Sequence, residues 1–160
     1  MRPTVPRFPL LEEPGEWDEL TLIASTVALE AEGEPESGQL GVAYVVMNRV
    51  RLWDRTVHQV ILGPDERAYG DGKAFEVFSC WNDTYKAHAT ARLSGLIAFP
   101  PAWKAAATAF WQLAADPTGG ATHYLNVELT KKLRGGTLPA WFHSDNQVTA
   151  VIGRHHFLVA

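Results

Sequence analysis

Three carboxylates stand at alternate positions in Leu29-Glu30-Ala31-Glu32-Gly33-Glu34. A side-chain acid serves catalysis when it keeps its proton at working pH and can deliver it to a leaving oxygen. Partial desolvation and nearby like charge both favour the protonated form. Glu30 has that placement. At about 100° per residue it falls roughly 20° from Ile23 and 60° from Val27 around a helix, on the margin of an apolar stripe, with Glu32 and Glu34 close in sequence. Glu32 points to the far side for as long as the helix persists. A solvated acidic turn fits the same spacing, since acids do occur at helix C-termini although the dipole disfavours them.

A second chemistry is offered by Cys80, in Phe78-Ser79-Cys80-Trp81-Asn82-Asp83 ahead of an expected helix. A thiol at a helix N-terminus, paired with His123, His143, His155 or His156, could act as a nucleophile; more often an unpaired cysteine packs as a small hydrophobe. Six histidines bring no HExxH spacing, and the adjacent His155 and His156 point to opposite faces of a strand. No metal or other cofactor is expected. Gly119-Gly120 lacks the following lysine of a phosphate loop. Among the six tryptophans, Trp81 and Trp141 fall in expected loops or strand edges, where an aromatic face could meet the C–H face of a sugar. Trp103 and Trp111 fall on an expected helix and read as core.

These residues need elements to position them. Leu20, Ile23, Ala24, Val27, Ala28 and Ala31 repeat at helical spacing, and the helix should stop near Gly33 and Pro35. A second helix should begin after Ser37 and Gly38 and run to Trp53, buried on more than one face. TVHQVIL reads as a short helix ending at Gly63-Pro64. From Gly63 to Asp83 no helical period persists, so loop with a strand at FEVFS is expected. Helices should resume at 84–93 and 102–115, the latter ending at Asp116-Pro117-Thr118-Gly119-Gly120. ATHYLN, QVTAVI and HHFLVA read as strands, with one histidine of the last directed inward into a hydrogen bond. The expectation is a mainly helical α+β domain.

With 160 residues the chain has the size of one domain, 17–160, preceded by a proline-rich arm over 1–16 that carries Pro3, Pro6 and Pro9. Fourteen Lys and Arg against 18 Asp and Glu leave a net charge of −4, which gives no drive towards phosphate backbones or anionic lipid. Neither a nucleic-acid partner nor a stable membrane association is expected. One cysteine excludes an intrachain disulfide framework. The first residues carry no unbroken apolar stretch of the export-signal type, and no run is long enough to span a bilayer.

Five blocks taken together resemble the SleB-like, spore cortex-lytic cell-wall hydrolase family: Glu30-Ala31-x-Gly33-Glu34-Pro35-x-x-Gly38-Gln39, Val45-x-x-Asn48-Arg49-Val50, Phe78-Ser79-Cys80, Asp116-Pro117-Thr118-Gly119-Gly120-Ala121-x-x-Tyr124-x-Asn126 and Ile152-Gly153-x-His155-x-Phe157. They fall in the family's order between Leu22 and Leu158. The resemblance implies a lysozyme-like fold related to goose-type lysozymes and lytic transglycosylases, acting on peptidoglycan glycan strands between MurNAc and GlcNAc. It implies Glu30 as the catalytic acid. Tyr124 and Asn126 then resemble cleft residues that hold the sugar and orient the acid, and Glu34, Gln39, Ser79, Trp81 and Trp141 complete the expected substrate contacts. The chain departs from the family pattern at Glu32, where arginine or a small residue is common, and at Val77, where glutamine is frequent.

A glycosidase needs a protonated carboxyl at the leaving oxygen and a means of handling oxocarbenium character at C1. A retaining hydrolase places a second carboxylate about 5–5.5 Å away and an inverting one about 6.5–9.5 Å away. Glu34, Glu76 and Asp83 are the available candidates for a muramidase of that kind. A lytic transglycosylase needs only one acid, which becomes the base on the muramoyl 6-hydroxyl, and this is the favoured reading. A cysteine amidase or endopeptidase using Cys80, and a glycan-binding module without catalysis, are the rival classes. The expected setting is that of a monomeric phage endolysin, cytoplasmic until a holin releases it to the wall; a secreted bacterial enzyme fits the same sequence.

Overall fold

The structure is a computed structural model and describes residues 14–63, 78–81 and 100–160, with Ser79 described in its backbone alone. Helix α1 spans Glu19–Ala31, α2 Glu36–Trp53, α3 Val57–Leu62, α4 Pro100–Phe110 and α5 Val127–Leu133. Strands β1, His123–Leu125, β2, Val148–Ile152, and β3, His155–Leu158, form an antiparallel sheet in the order β1-β3-β2. Short 3-10 turns at Pro14–Glu16, Ser79–Trp81 and Asp145–Gln147 complete the described elements. Among the described residues no helix is long and apolar enough to cross a membrane.

Helix α1 starts where Asp18 accepts from the Thr21 amide at 2.9 Å and from its hydroxyl at 2.6 Å. This is an N-cap, meeting amides that have no partner inside the helix. Its apolar residues are buried nearly all round, because α2 and α4 both pack on it and α3 closes a further side. Helix α2 is likewise buried on several faces, and it ends at Asp54, whose left-handed φ of 51° turns the chain into α3. The Thr56–Gln59 capping box then starts α3.

The core gathers Leu22, Ile23 and Val27 of α1, Val42, Val45 and Val46 of α2, Val60 and Ile61 of α3, and Phe157 of β3. Gly41 makes the helix-to-sheet contact possible: a Cβ there would stand 2.7 Å from Cζ of Phe157.

The expected α1, α3 and three C-terminal strands hold to within a few residues. Helix α2 begins earlier, at Glu36 after the cap residue Pro35, and α4 ends earlier, at Phe110. A positive φ at Gln112 follows α4, so Trp111 leaves the helix and is 63% exposed, against the expectation that it packs in the core. Trp103 does pack against the core. The expected FEVFS strand fails at its described end, because Ser79–Trp81 is a 3-10 turn; its first three residues and the expected helix at 84–93 lie outside the described residues. Helix α5 was not expected. The turn Pro14–Glu16, assigned to the arm, has Pro14 buried and accepting from the Trp17 amide at 3.2 Å.

Candidate active site

Glu30 lies in the last turn of α1 and is half-buried, as its place on the stripe margin requires. The Tyr124 hydroxyl donates to Glu30 Oε2 at 2.8 Å across 94 positions of sequence. The other carboxylate oxygen has no hydrogen bond among the described residues. Tyr124 therefore fixes one oxygen of the carboxylate.

Tyr124 is itself held by rings. His155 packs edge-on at 4.9 Å between centroids, Phe157 lies at 5.7 Å and Phe78 at 6.3 Å. Burial, and then the Glu30 carboxylate, raise the Tyr124 phenol well above its ordinary range, so it stays a donor. His155 is buried by the same packing, which lowers its pKa despite the nearby Glu34 and Glu30 carboxylates. It faces inward as expected, but its Nδ1 has no hydrogen-bond partner among the described residues.

The motif residues around the pair place β1 against α2. Asp116 Oδ1 accepts from the amide and hydroxyl of Thr118, at 2.8 and 2.7 Å. Its Oδ2 accepts from the Gly120 amide at 3.0 Å and from Asn48 Nδ2 at 2.9 Å. Asn48 also donates to the Ala121 carbonyl at 2.9 Å, and Arg49 Nε to the Thr122 carbonyl at 2.5 Å. The loop between Asp116 and β1 is thus tied to α2 immediately before Tyr124. Gly119 and Gly120, at φ 68° and 86°, allow the turn, in a region that other residues rarely adopt.

Glu34 was expected in the cleft, and the structure puts it in a latch. Its side chain is almost wholly buried, and it accepts from the Arg154 amide at 3.2 Å and from Arg154 Nε at 3.0 Å. Gly153, at φ 57°, lets the β2–β3 turn approach: a Cβ there would meet Glu34 Oε2 at 2.1 Å. Gln39 is buried beside it and donates to the Glu34 carbonyl at 3.0 Å. Both polar side chains bind this chain's own backbone or side chains.

Trp81, also expected to meet a sugar, is buried edge-on against Trp17 at 5.6 Å and donates to Thr26 Oγ1 at 2.9 Å. The 3-10 turn directs it inward. Asn126 caps α5, accepting from the Leu129 amide at 3.0 Å. Trp141 remains half-exposed and packs against His123 at 4.8 Å. The Ser79 side chain, Glu76, Val77 and Asp83 lie outside the described residues. Cys80 is half-buried against the core. Among the described residues no cluster of three or more His, Cys, Asp or Glu could hold a metal ion.

The sequence reading gave Trp53 no chemical role and named His123 only as a possible partner of a Cys80 nucleophile. The His123 ring lies 6.0 Å from Trp53 and its Nδ1 is 2.9 Å from Thr122 Oγ1. Burial, and then the Arg49 guanidinium, push its pKa down to about 4. Their signal was positional: His123 lies inside the Asp116–Asn126 block directly before Tyr124, and Trp53 lies three residues beyond Val50 of the Val45–Val50 block.

Known proteins bear on this geometry. No curated protein matches the chain significantly. The catalytic domain of the Bacillus cereus SleB protein is 27% identical, with a TM-score of 0.61 and 88% of each chain covered. The catalytic domain of the germination-specific lytic transglycosylase SleB from Bacillus anthracis is 26% identical, with a TM-score of 0.60 over 91% of this chain and 99% of that one. The sequence profile of the Cell Wall Hydrolase family matches residues 33–158, which take in β1, the Asp116–Asn48 network and the Glu34–Arg154 latch. With that profile spanning most of its length and a lysozyme-like fold shared with the SleB domains, the chain belongs to the cell wall hydrolase family.

Proposed function

We propose that the chain cleaves peptidoglycan glycan strands as a lytic transglycosylase, with Glu30 acting first as general acid and then as general base. The observation that carries the reading is the Tyr124–Glu30 hydrogen bond at the open end of α1, which fixes one carboxylate oxygen and leaves the other for substrate. Glu30 delivers its proton to the glycosidic oxygen as the bond from C1 breaks. Its carboxylate then takes the proton of the muramoyl 6-hydroxyl, whose oxygen closes on C1. Tyr124 stays protonated throughout and steadies the carboxylate between the two transfers.

The runner-up, a muramidase-type hydrolase, requires a second carboxylate to act on water or on C1. Glu34 is a poor candidate because Arg154 holds both of its oxygens. This supports the one-acid route. Glu30→Gln keeps the shape and removes the acidic proton, so turnover should fall by the ~10²- to 10⁴-fold expected for general acid catalysis, with wall binding and thermal unfolding unchanged. Near-normal lysis by a folded Glu30→Gln protein refutes the assignment.

The proposed setting is that of a monomeric endolysin. Cells expressing the chain internally should stay intact until a holin is co-expressed, and the purified protein should sediment as a monomer. Lysis without the holin contradicts that setting and leaves the chemistry standing.

A further inference from the structure

We propose that Trp53, His123 and Trp141 form a saccharide subsite, a platform on which an N-acetylhexosamine ring of the strand stacks beside the Glu30–Tyr124 pair. The inference rests on the glycan-cleavage reading and deepens it. His123 contacts both indoles, at 4.8 Å from Trp141 and 6.0 Å from Trp53, and all three residues are partly open to solvent.

Their polar edges differ from that of the core residue Trp81. The buried indole of Trp81 has its N–H bonded to Thr26. The indole N–H groups of Trp53 and Trp141, and Nε2 of His123, have no hydrogen-bond partner among the described residues. Flat apolar faces with unpaired polar edges suit a sugar, whose ring C–H groups stack while its hydroxyls and acetamide seek hydrogen bonds. Burial and Arg49 keep the imidazole uncharged, so it can exchange a hydrogen bond with a hydroxyl without bringing a charge to a neutral ring.

The platform is also anchored to the catalytic pair. The Arg49 guanidinium lies 5.0 Å from both the Trp53 and Phe78 ring centroids, and Phe78 packs on Tyr124. His123 directly precedes Tyr124 on β1, so their side chains leave opposite faces of a strand at the sheet edge. A glycan crossing that edge meets the acid on one side and the aromatic rings on the other.

The test uses the full chain and an uncharged β-1,4-linked N-acetylglucosamine oligosaccharide as probe. In a Glu30→Gln background, tryptophan fluorescence should report binding, and adding Trp53→Ala or Trp141→Ala should weaken it about tenfold, roughly the worth of one stacked ring. With Glu30 intact, the same substitutions should raise KM for peptidoglycan about tenfold while kcat falls far less. Trp141→Phe keeps a face and loses the N–H, so it should lie between wild type and alanine and serves if an alanine variant fails to fold. Unchanged probe affinity and KM in folded variants overturn the platform while cleavage by the wild type upholds the wider reading. A wild type that releases no glycan fragments, yet binds the probe through these rings, overturns the wider reading and upholds the platform.

Discussion

Glu30 and Tyr124 stand 94 positions apart and meet through one hydrogen bond of 2.8 Å. Helical spacing alone puts Glu30 at the edge of the buried stripe, so its position was readable from the sequence. The partner was not, because no local period reports a contact between α1 and β1; only the motif resemblance pointed to Tyr124. Residue type could not show how Glu34, Gln39, Trp81 and Asn126, which are chemically able to hold a sugar, are placed: within the chain they are engaged by Arg154, the Glu34 carbonyl, Thr26 and the Leu129 amide. A hydrogen bond to a charged group is worth roughly 1.5–3 kcal/mol, so Tyr124→Phe should lower kcat by about 10- to 100-fold with little change in KM. Steady-state kinetics on purified peptidoglycan measures this, and an unaltered kcat would remove Tyr124 from the mechanism. Cys80→Ser should keep most activity, since the thiol packs against the core. A folded but inactive serine variant would bring back the nucleophile reading.

At the scale of elements, α1, α2, α3 and the three strands were legible because each buries a periodic face. Helix α5 was not legible for the opposite reason: none of its residues is buried, its i, i+4 apolar pair Leu129 and Leu133 is exposed, and it starts at the Asn126 cap. The fixed geometry between elements comes from polar ties that composition cannot reveal. Asp116 accepts four hydrogen bonds, one of them from α2, and Asp116→Ala leaves those donors unsatisfied. The expected loss is about 2–3 kcal/mol in a urea titration, and activity should drop with it because the loop no longer holds Tyr124 in place. Gly41→Ala should cost about 1–3 kcal/mol through overpacking against Phe157. Wild-type denaturation midpoints in both variants would contradict this account of how β1 and β3 are seated on α2.

Across the whole molecule, the mainly helical α+β class followed from the order of periodic segments, whereas the packing of a central α2 beneath a small sheet needed the structure. Two imidazoles, the buried His155 and the partly buried His123, should make the fold sensitive to acid. His123 and His155 both have folded pKa values below the ordinary 6.5, His123 at about 4, each mainly through burial. Below 6.5 the unfolded chain takes up these protons first, so their contribution to stability is complete above that pH and is lost as pH falls through the folded values. Each group adds a slope of at most about 1.4 kcal/mol per pH unit. His123→Phe should flatten the fall in urea midpoint between pH 7 and pH 4, and an identical fall in that variant would show that His123 does not contribute.

The central claim is that Glu30 alone carries the proton out and back, so that water never enters the bond. Mass spectrometry of the muropeptides released from purified peptidoglycan, before and after borohydride treatment, tests it most directly. The account predicts 1,6-anhydromuramic ends, lighter than their hydrated counterparts by one water and untouched by borohydride. Reducing ends that take up oxygen from isotopically labelled water at C1 would contradict it and make the enzyme a hydrolase.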